Sequence, residues 1–156
     1  MNTNCHYIRL SVEELLGLGR RGIAELTHAK YYKTIKILNQ HFKAGEWGKK
    51  RCGSVVTTML NNMSRYCILQ RFVEVQQKAF AIVTWLTVPT YPYAPNPLVV
   101  KVRVPTRASS QPSCILAVED IIPTHVSVFP SDDGVNFYVM RGKGTDRTIF
   151  TRTHYE

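Results

Sequence analysis

Ser54, Thr58, Asn61 and Arg65 follow one another at intervals of three or four residues. They are three short hydrogen-bonding side chains and a guanidinium, with no carboxylate among them. On a helix turning roughly 100° per residue they fall in a stripe about 60° wide, opposite Val56, Met59, Leu60, Met63 and Cys67. Short polar side chains and arginine are the groups that hydrogen-bond base edges, while lysine and arginine hold phosphates. Lys49, Lys50 and Arg51 lie just upstream and would supply the second kind of contact. Ser54, after Gly53, reads as the N-cap of such a helix. The solvated face of an ordinary amphipathic helix has the same pattern, so the stripe acquires meaning only from its surroundings.

The patterns that would carry catalysis are incomplete. His125-Val-Ser127 supplies half of the paired HxS/T signature of two-histidine phosphoesterases, which need a second histidine to complete an acid/base pair. His6, His28, His41 and His154 have no Ser or Thr two residues on. Glu119–Asp120 and Asp132–Asp133 are adjacent carboxylates, which point to opposite faces of a strand or sit in a turn. Cys5, Cys52, Cys67 and Cys114 form no CxxC pair and the histidines no HxxxH, so neither a metal nor a cofactor is expected. Gly142-Lys143-Gly144-Thr145 lacks the glycine spacing of a phosphate-binding loop.

Charge supplies the surroundings. The 156 residues carry a net charge of +9. Residues 1–71 hold 12 Lys/Arg against 4 Asp/Glu, and residues 72–156 hold 8 against 7. A cationic half joined to a nearly neutral one implies a polyanionic partner, nucleic acid before an anionic membrane. An apolar share of 44% fits a globular chain. No apolar run reaches the roughly 20 residues of a membrane-spanning helix, and the N-terminus lacks the order of a signal peptide, so an intracellular, cytoplasmic protein is expected.

The elements that would position these residues follow in order. Ser11 and Glu14 form a capping box at the start of a short helix over 11–25, with Leu10, Leu15, Leu18 and Ile23 buried. A second helix is expected from Thr27, with Tyr31, Ile35, Leu38 and Phe42 on its core face and Lys30, Lys33 and Lys36 on another. Residues 46–53 make a basic turn, and the polar-striped helix covers 54–68. A β-hairpin follows around Gln76-Gln77, although neither glutamine favours the positive φ of a two-residue turn. Four prolines mark residues 89–97 as an extended connector. Strands are expected at 98–104, 113–118, 124–129, 135–141 and 147–154.

Residues 37–47 and 54–71, in this order of helices and hairpin, resemble a winged-helix DNA-binding domain spanning roughly residues 10–87. The resemblance implies that Ser54, Thr57, Thr58, Asn61, Asn62 and Arg65 face the groove. It implies further that Lys49, Lys50 and Arg51 meet phosphates, and that Gln76, Gln77 and Lys78 form the wing tip. The family's helix between the glycine and the recognition helix is missing, since 46–53 has room for barely one turn. A fainter likeness, of 66–71 and 78–86 to the central hairpin of toxin-activating acyltransferases, lacks the acidic partner that chemistry needs.

The expectation is therefore an α+β chain: N-terminal helices with a β-hairpin, then a β-rich, mostly antiparallel C-terminal half. Residues 1–88 would be a basic winged-helix-like DNA-binding region, 89–97 a Pro-rich connector, and 98–156 a β-rich dimerisation or partner-binding region. The expected function is non-enzymatic binding of double-stranded DNA by a small regulator of phage or mobile-element type, with a possible homodimer. The alternatives are an interaction or structural protein whose basic half binds an acidic protein surface, and a small acyltransferase-like enzyme.

Overall fold

Thirteen residues, Met63–Val75, run as a single strand through the middle of the sheet, and among the described residues three other strands pair directly with it. This computed structural model describes residues 6–23, 28–45, 53–92, 98–106, 112–133 and 135–140. In chain order the elements are β1 (His6–Arg9), α1 (Val12–Gly19), β2 (His28–Tyr32), β3 (Thr34–Ile37), β4 (Gln40–Lys43), β5 (Val55–Leu60), β6 (Met63–Val75) and β7 (Lys78–Trp85). They continue with β8 (Val99–Arg103), β9 (Ile115–Ala117), a single 3-10 turn (Val118–Asp120), β10 (Ile121–Ile122), β11 (Ser127–Pro130) and β12 (Asn136–Met140). Seven strands form one antiparallel sheet curled into a half-barrel, in which β6 pairs with β5 and β2 along one edge and β7 along the other. A second sheet, β11-β12-β8, packs on it, and β3-β4 is a separate two-stranded ribbon.

The winged-helix expectation is overturned, and with it the α+β class. Among the described residues α1 is the single α-helix. Residues 54–68, expected as the recognition helix, are instead β5, a turn at Asn61-Asn62, and the first half of β6. The local reason lies in Val55-Val56-Thr57-Thr58, a β-branched run that loses χ1 freedom in a helix and packs well on a pleated sheet. Asn61 and Asn62 then adopt φ of 52° and 63°, the left-handed pair that a two-residue hairpin turn requires and asparagine tolerates. Residues 28–42 are likewise β2, β3 and β4 rather than a helix, Thr27 lying outside the described residues. Their apolar residues satisfy a period of two as well as 3.6: Ile35, Ile37 and Phe42 share one ribbon face while Thr34, Lys36, His41 and Lys43 share the other.

Other expectations survive. The capping box is formed: the Ser11 hydroxyl accepts from Glu14 N–H at 3.2 Å, and Glu14 Oε1 accepts from Ser11 N–H at 2.7 Å. Leu10, Leu18 and Ile23 are buried and Leu15 is partly so. The hairpin around Gln76-Gln77 is β6–β7, and both glutamines take positive φ, 51° and 64°, so the turn is as short as it looks. Strands occur near four of the five expected C-terminal positions; the fifth, 147–154, lies outside the described residues. The sheet crosses the Pro-rich connector, because β9 pairs with β7 and β10 with β5.

A register shift between Leu69 and Arg71 divides the central strand. Such a bulge inserts one residue and flips the in/out alternation. Cys67 and Leu69 before it, and Phe72 after it, share one core with Phe42, Val83, Trp85 and Leu116. On the opposite face Tyr66 and Ile68 meet the three-stranded sheet, whereas Val73 and Val75 meet α1. One sheet face thus supports two different coverings.

Candidate nucleic-acid interface

The β3–β4 ribbon leaves the half-barrel between β2 and β5, and its base is firmly tied. Ala44 N–H donates to Lys33 O at 2.7 Å, Ser54 N–H to Lys43 O at 2.8 Å, and Lys43 N–H to the Ser54 hydroxyl at 3.2 Å. Gly45 N–H donates to Leu69 O and Leu69 N–H to Ser54 O, both at 2.9 Å, which fills the edge of the central strand opposite its bulge. This approach requires Gly53: a Cβ there would lie 1.8 Å from Leu69 O. Phe42, 1% exposed, anchors the inward face and stacks on the His125 ring, with centroids 4.8 Å apart. His125 therefore has a packing role beside the ribbon.

The outward face is cationic. Cross-strand partners lie on the same side of a sheet, so Thr34 with Lys43 and Lys36 with His41 build one exposed surface. Lys33 is exposed at the bend that starts the ribbon. Residues 27–45 contain no Asp or Glu, and among the described residues none of these three ammonium groups meets a carboxylate. Diagonal neighbours on such a face are about 7–8 Å apart, close enough for Lys36 and Lys43 to repel each other and to share one polyanion. The tip is Leu38-Asn39, with φ of 47° and 66°, and Leu38 is 79% exposed.

The residues expected to contact DNA are dispersed by the fold. Thr57, Thr58 and Arg65 are buried, at 6%, 1% and 9% exposure. Thr58 and Arg65 face each other across β5–β6. The Thr58 hydroxyl donates to Asp120 O at 2.8 Å, and Arg65 Nη2 donates to Leu86 O at 3.0 Å with its guanidinium over the Trp85 ring. Burial pulls the Arg65 guanidinium down from its ordinary value. These side chains hold the sheet together from within and present nothing to a groove. Ser54 anchors the ribbon base. Asn61-Asn62 and Gln76-Gln77-Lys78 are exposed in the turns at the two ends of β6; Lys49, Lys50 and Arg51 lie outside the described residues. The sequence drew attention to Lys36 on this face and to Lys33 beside it, and passed over His41 and Lys43; Leu38, expected on the core face of a helix, is instead 79% exposed because it sits in the hairpin turn. The acid-free run over 27–45 was the available signal.

A second concavity, of about 530 Å³, opens at the bulge between α1 and Val104-Pro105. It contains the Arg71–Glu14 ion pair, at 3.4 Å, the Gln70–Thr84 hydrogen bond, and Cys114. Glu14 is fully used by the helix cap and Arg71. Burial, and then the nearby carboxylates Glu14 and Glu13, push the Cys114 thiol up, which disfavours the nucleophilic thiolate. Cys67, fully buried in the sheet, is pushed up to about 12 by burial. Glu119 and Asp120 lie in the 3-10 turn, and Asp133 closes the β11–β12 turn by accepting from Val135 and Asn136 N–H at 2.8 and 2.9 Å. The adjacent carboxylates thus serve turns.

Comparisons with protein-family models, curated proteins and solved structures find no match.

Proposed function

We propose that the protein binds double-stranded DNA, chiefly through its phosphates, with the outward face of the β3–β4 ribbon. The observation that carries this reading is an exposed surface of Lys36, His41 and Lys43, with Lys33 exposed at the bend beside it, that meets no carboxylate among the described residues. A flat cationic ribbon tracks the phosphates that line a duplex groove, and two-stranded ribbons are of a size that grooves admit. Four residues per strand give a contact about 13 Å long, enough for two or three phosphates on a strand. Contacts of this kind position a protein without reading sequence. The cationic bias of residues 1–71 adds long-range attraction to the same partner.

The test is fluorescence anisotropy of a labelled random-sequence duplex across a salt series. Wild type is compared with Lys36→Ala/Lys43→Ala and with a charge-matched control, Lys101→Ala/Arg103→Ala on β8. Each phosphate contact contributes about −0.9 to the slope of log affinity against log salt. The ribbon variant is expected to flatten that slope by nearly 2, and the control to leave it within about 0.5. Equal losses in both variants would mean attraction to bulk charge and would remove the ribbon as the site. No binding by wild type at about 50 mM salt would remove DNA altogether and turn the search to an acidic protein surface.

A further inference from the structure

Leu38 is an exposed branched apolar residue at a positive-φ turn position. It occupies the first position of a two-residue turn with φ of 47°, a conformation in which the Cβ crowds the following carbonyl oxygen. Asparagine, aspartate or glycine is favoured there, as at Asn39 and at Asn61-Asn62; Gln76-Gln77 also adopts this geometry, but with polar side chains that suit solvent, whereas Leu38 is apolar. Leucine gains nothing in return from the fold, because 79% of it faces solvent. Backbone strain held at an exposed tip is a starting point for a functional reading. Here the strained residue is a branched apolar side chain projecting from the end of a cationic ribbon whose base is fixed to the central strand.

We infer that Leu38 is a wedge: with the ribbon lying along the minor groove, its side chain enters between two base pairs, partly unstacks them and bends the duplex. Apolar side chains inserted from the minor groove kink DNA in this way, and the bend brings further phosphates against the protein. The inference rests on DNA binding by the ribbon. It adds a mode of action, deformation of the duplex at flexible pyrimidine–purine steps rather than readout of base edges. Lys33, Lys36 and Lys43 hold the backbones on either side, and the short turn keeps the leucine at the leading end. The two functions are separable: the lysines supply affinity and the leucine supplies the bend.

A duplex of about 20 base pairs, long enough to span the roughly 13 Å ribbon several times over, is labelled at its two ends for energy transfer. It also carries 2-aminopurine at a TA step, and anisotropy is read in parallel. Wild type is expected to raise end-to-end transfer and 2-aminopurine fluorescence on binding. Leu38→Asn should keep affinity within about threefold while abolishing both signals, and Leu38→Met, an apolar replacement, should retain them. Because asparagine suits the left-handed turn, Leu38→Asn should also raise the melting midpoint by about 2–4 °C. That variant would thus be more stable and less able to bend DNA, a combination a purely structural leucine does not produce. Binding by wild type without either signal, or bending retained by Leu38→Asn, overturns the wedge and leaves the phosphate grip standing. Absence of binding overturns both.

Discussion

Replacing Arg65 separates an interior strut from a DNA contact. Among the described residues its guanidinium donates to Leu86 O at 3.0 Å and lies 5.7 Å from the Trp85 ring centre, while the buried Nε meets no acceptor there. Arg65→Ala removes two buried methylenes, Cγ and Cδ, about 1.6 kcal/mol. It also leaves the Leu86 carbonyl without this donor, about 1–2 kcal/mol more. Relief of the unpartnered Nε offsets about 1–2 kcal/mol of that. The expected net loss is about 2 kcal/mol. Arg65→Met keeps the apolar stem and removes the orphaned donor, so it should lie within about 1 kcal/mol of wild type, as apolar replacements of buried charged groups often do. Urea denaturation of the three proteins, with the slope of the unfolding free energy held common, measures both differences. The anisotropy salt series on the same proteins should show unchanged slopes. A salt slope flattened by about 1 in Arg65→Met would place Arg65 on a phosphate and refute its burial. A loss above about 3 kcal/mol in Arg65→Met would refute the view that the stem, not the charge, holds this position.

Gly53→Ala would drive a methyl into Leu69 O, so the edge of the central strand must move; urea titration should show a loss of at least about 2 kcal/mol, and a change under about 0.5 would mean the ribbon base is not packed as described. Asp133 is held down to about 2, from an ordinary 3.8, first by the Asn136 N–H and then by that of Val135. A carboxyl whose folded value is depressed contributes stability above its unfolded value and loses it as pH falls through the folded one. Wild type should therefore lose a stability advantage over Asp133→Asn between about pH 4 and pH 2, seen as converging melting midpoints; a constant difference across that window would contradict the turn.

The residues that decide their own structure locally were legible in order. Ser11 and Glu14 cap a helix through contacts three residues apart, and Lys78–Trp85 is a short run rich in β-branched and aromatic residues that reads as a strand without tertiary information. The charge imbalance between residues 1–71 and 72–156 is likewise a property of the chain alone. The polar stripe was not legible, because Ser54, Thr58, Asn61 and Arg65 fit helical spacing while the fold uses them as anchor, cross-strand pair and turn. Residues 31–42 satisfy both a 3.6 and a 2.0 period. The choice between them belongs to partners far away in sequence: β2 is held by β1 and β6, β5 by β6 and β10. Secondary structure whose hydrogen bonds close within a few residues was written in the sequence. The strands, whose backbone groups are satisfied only across the sheet, and the exposed ribbon face that their pairing creates, were decided by the tertiary structure.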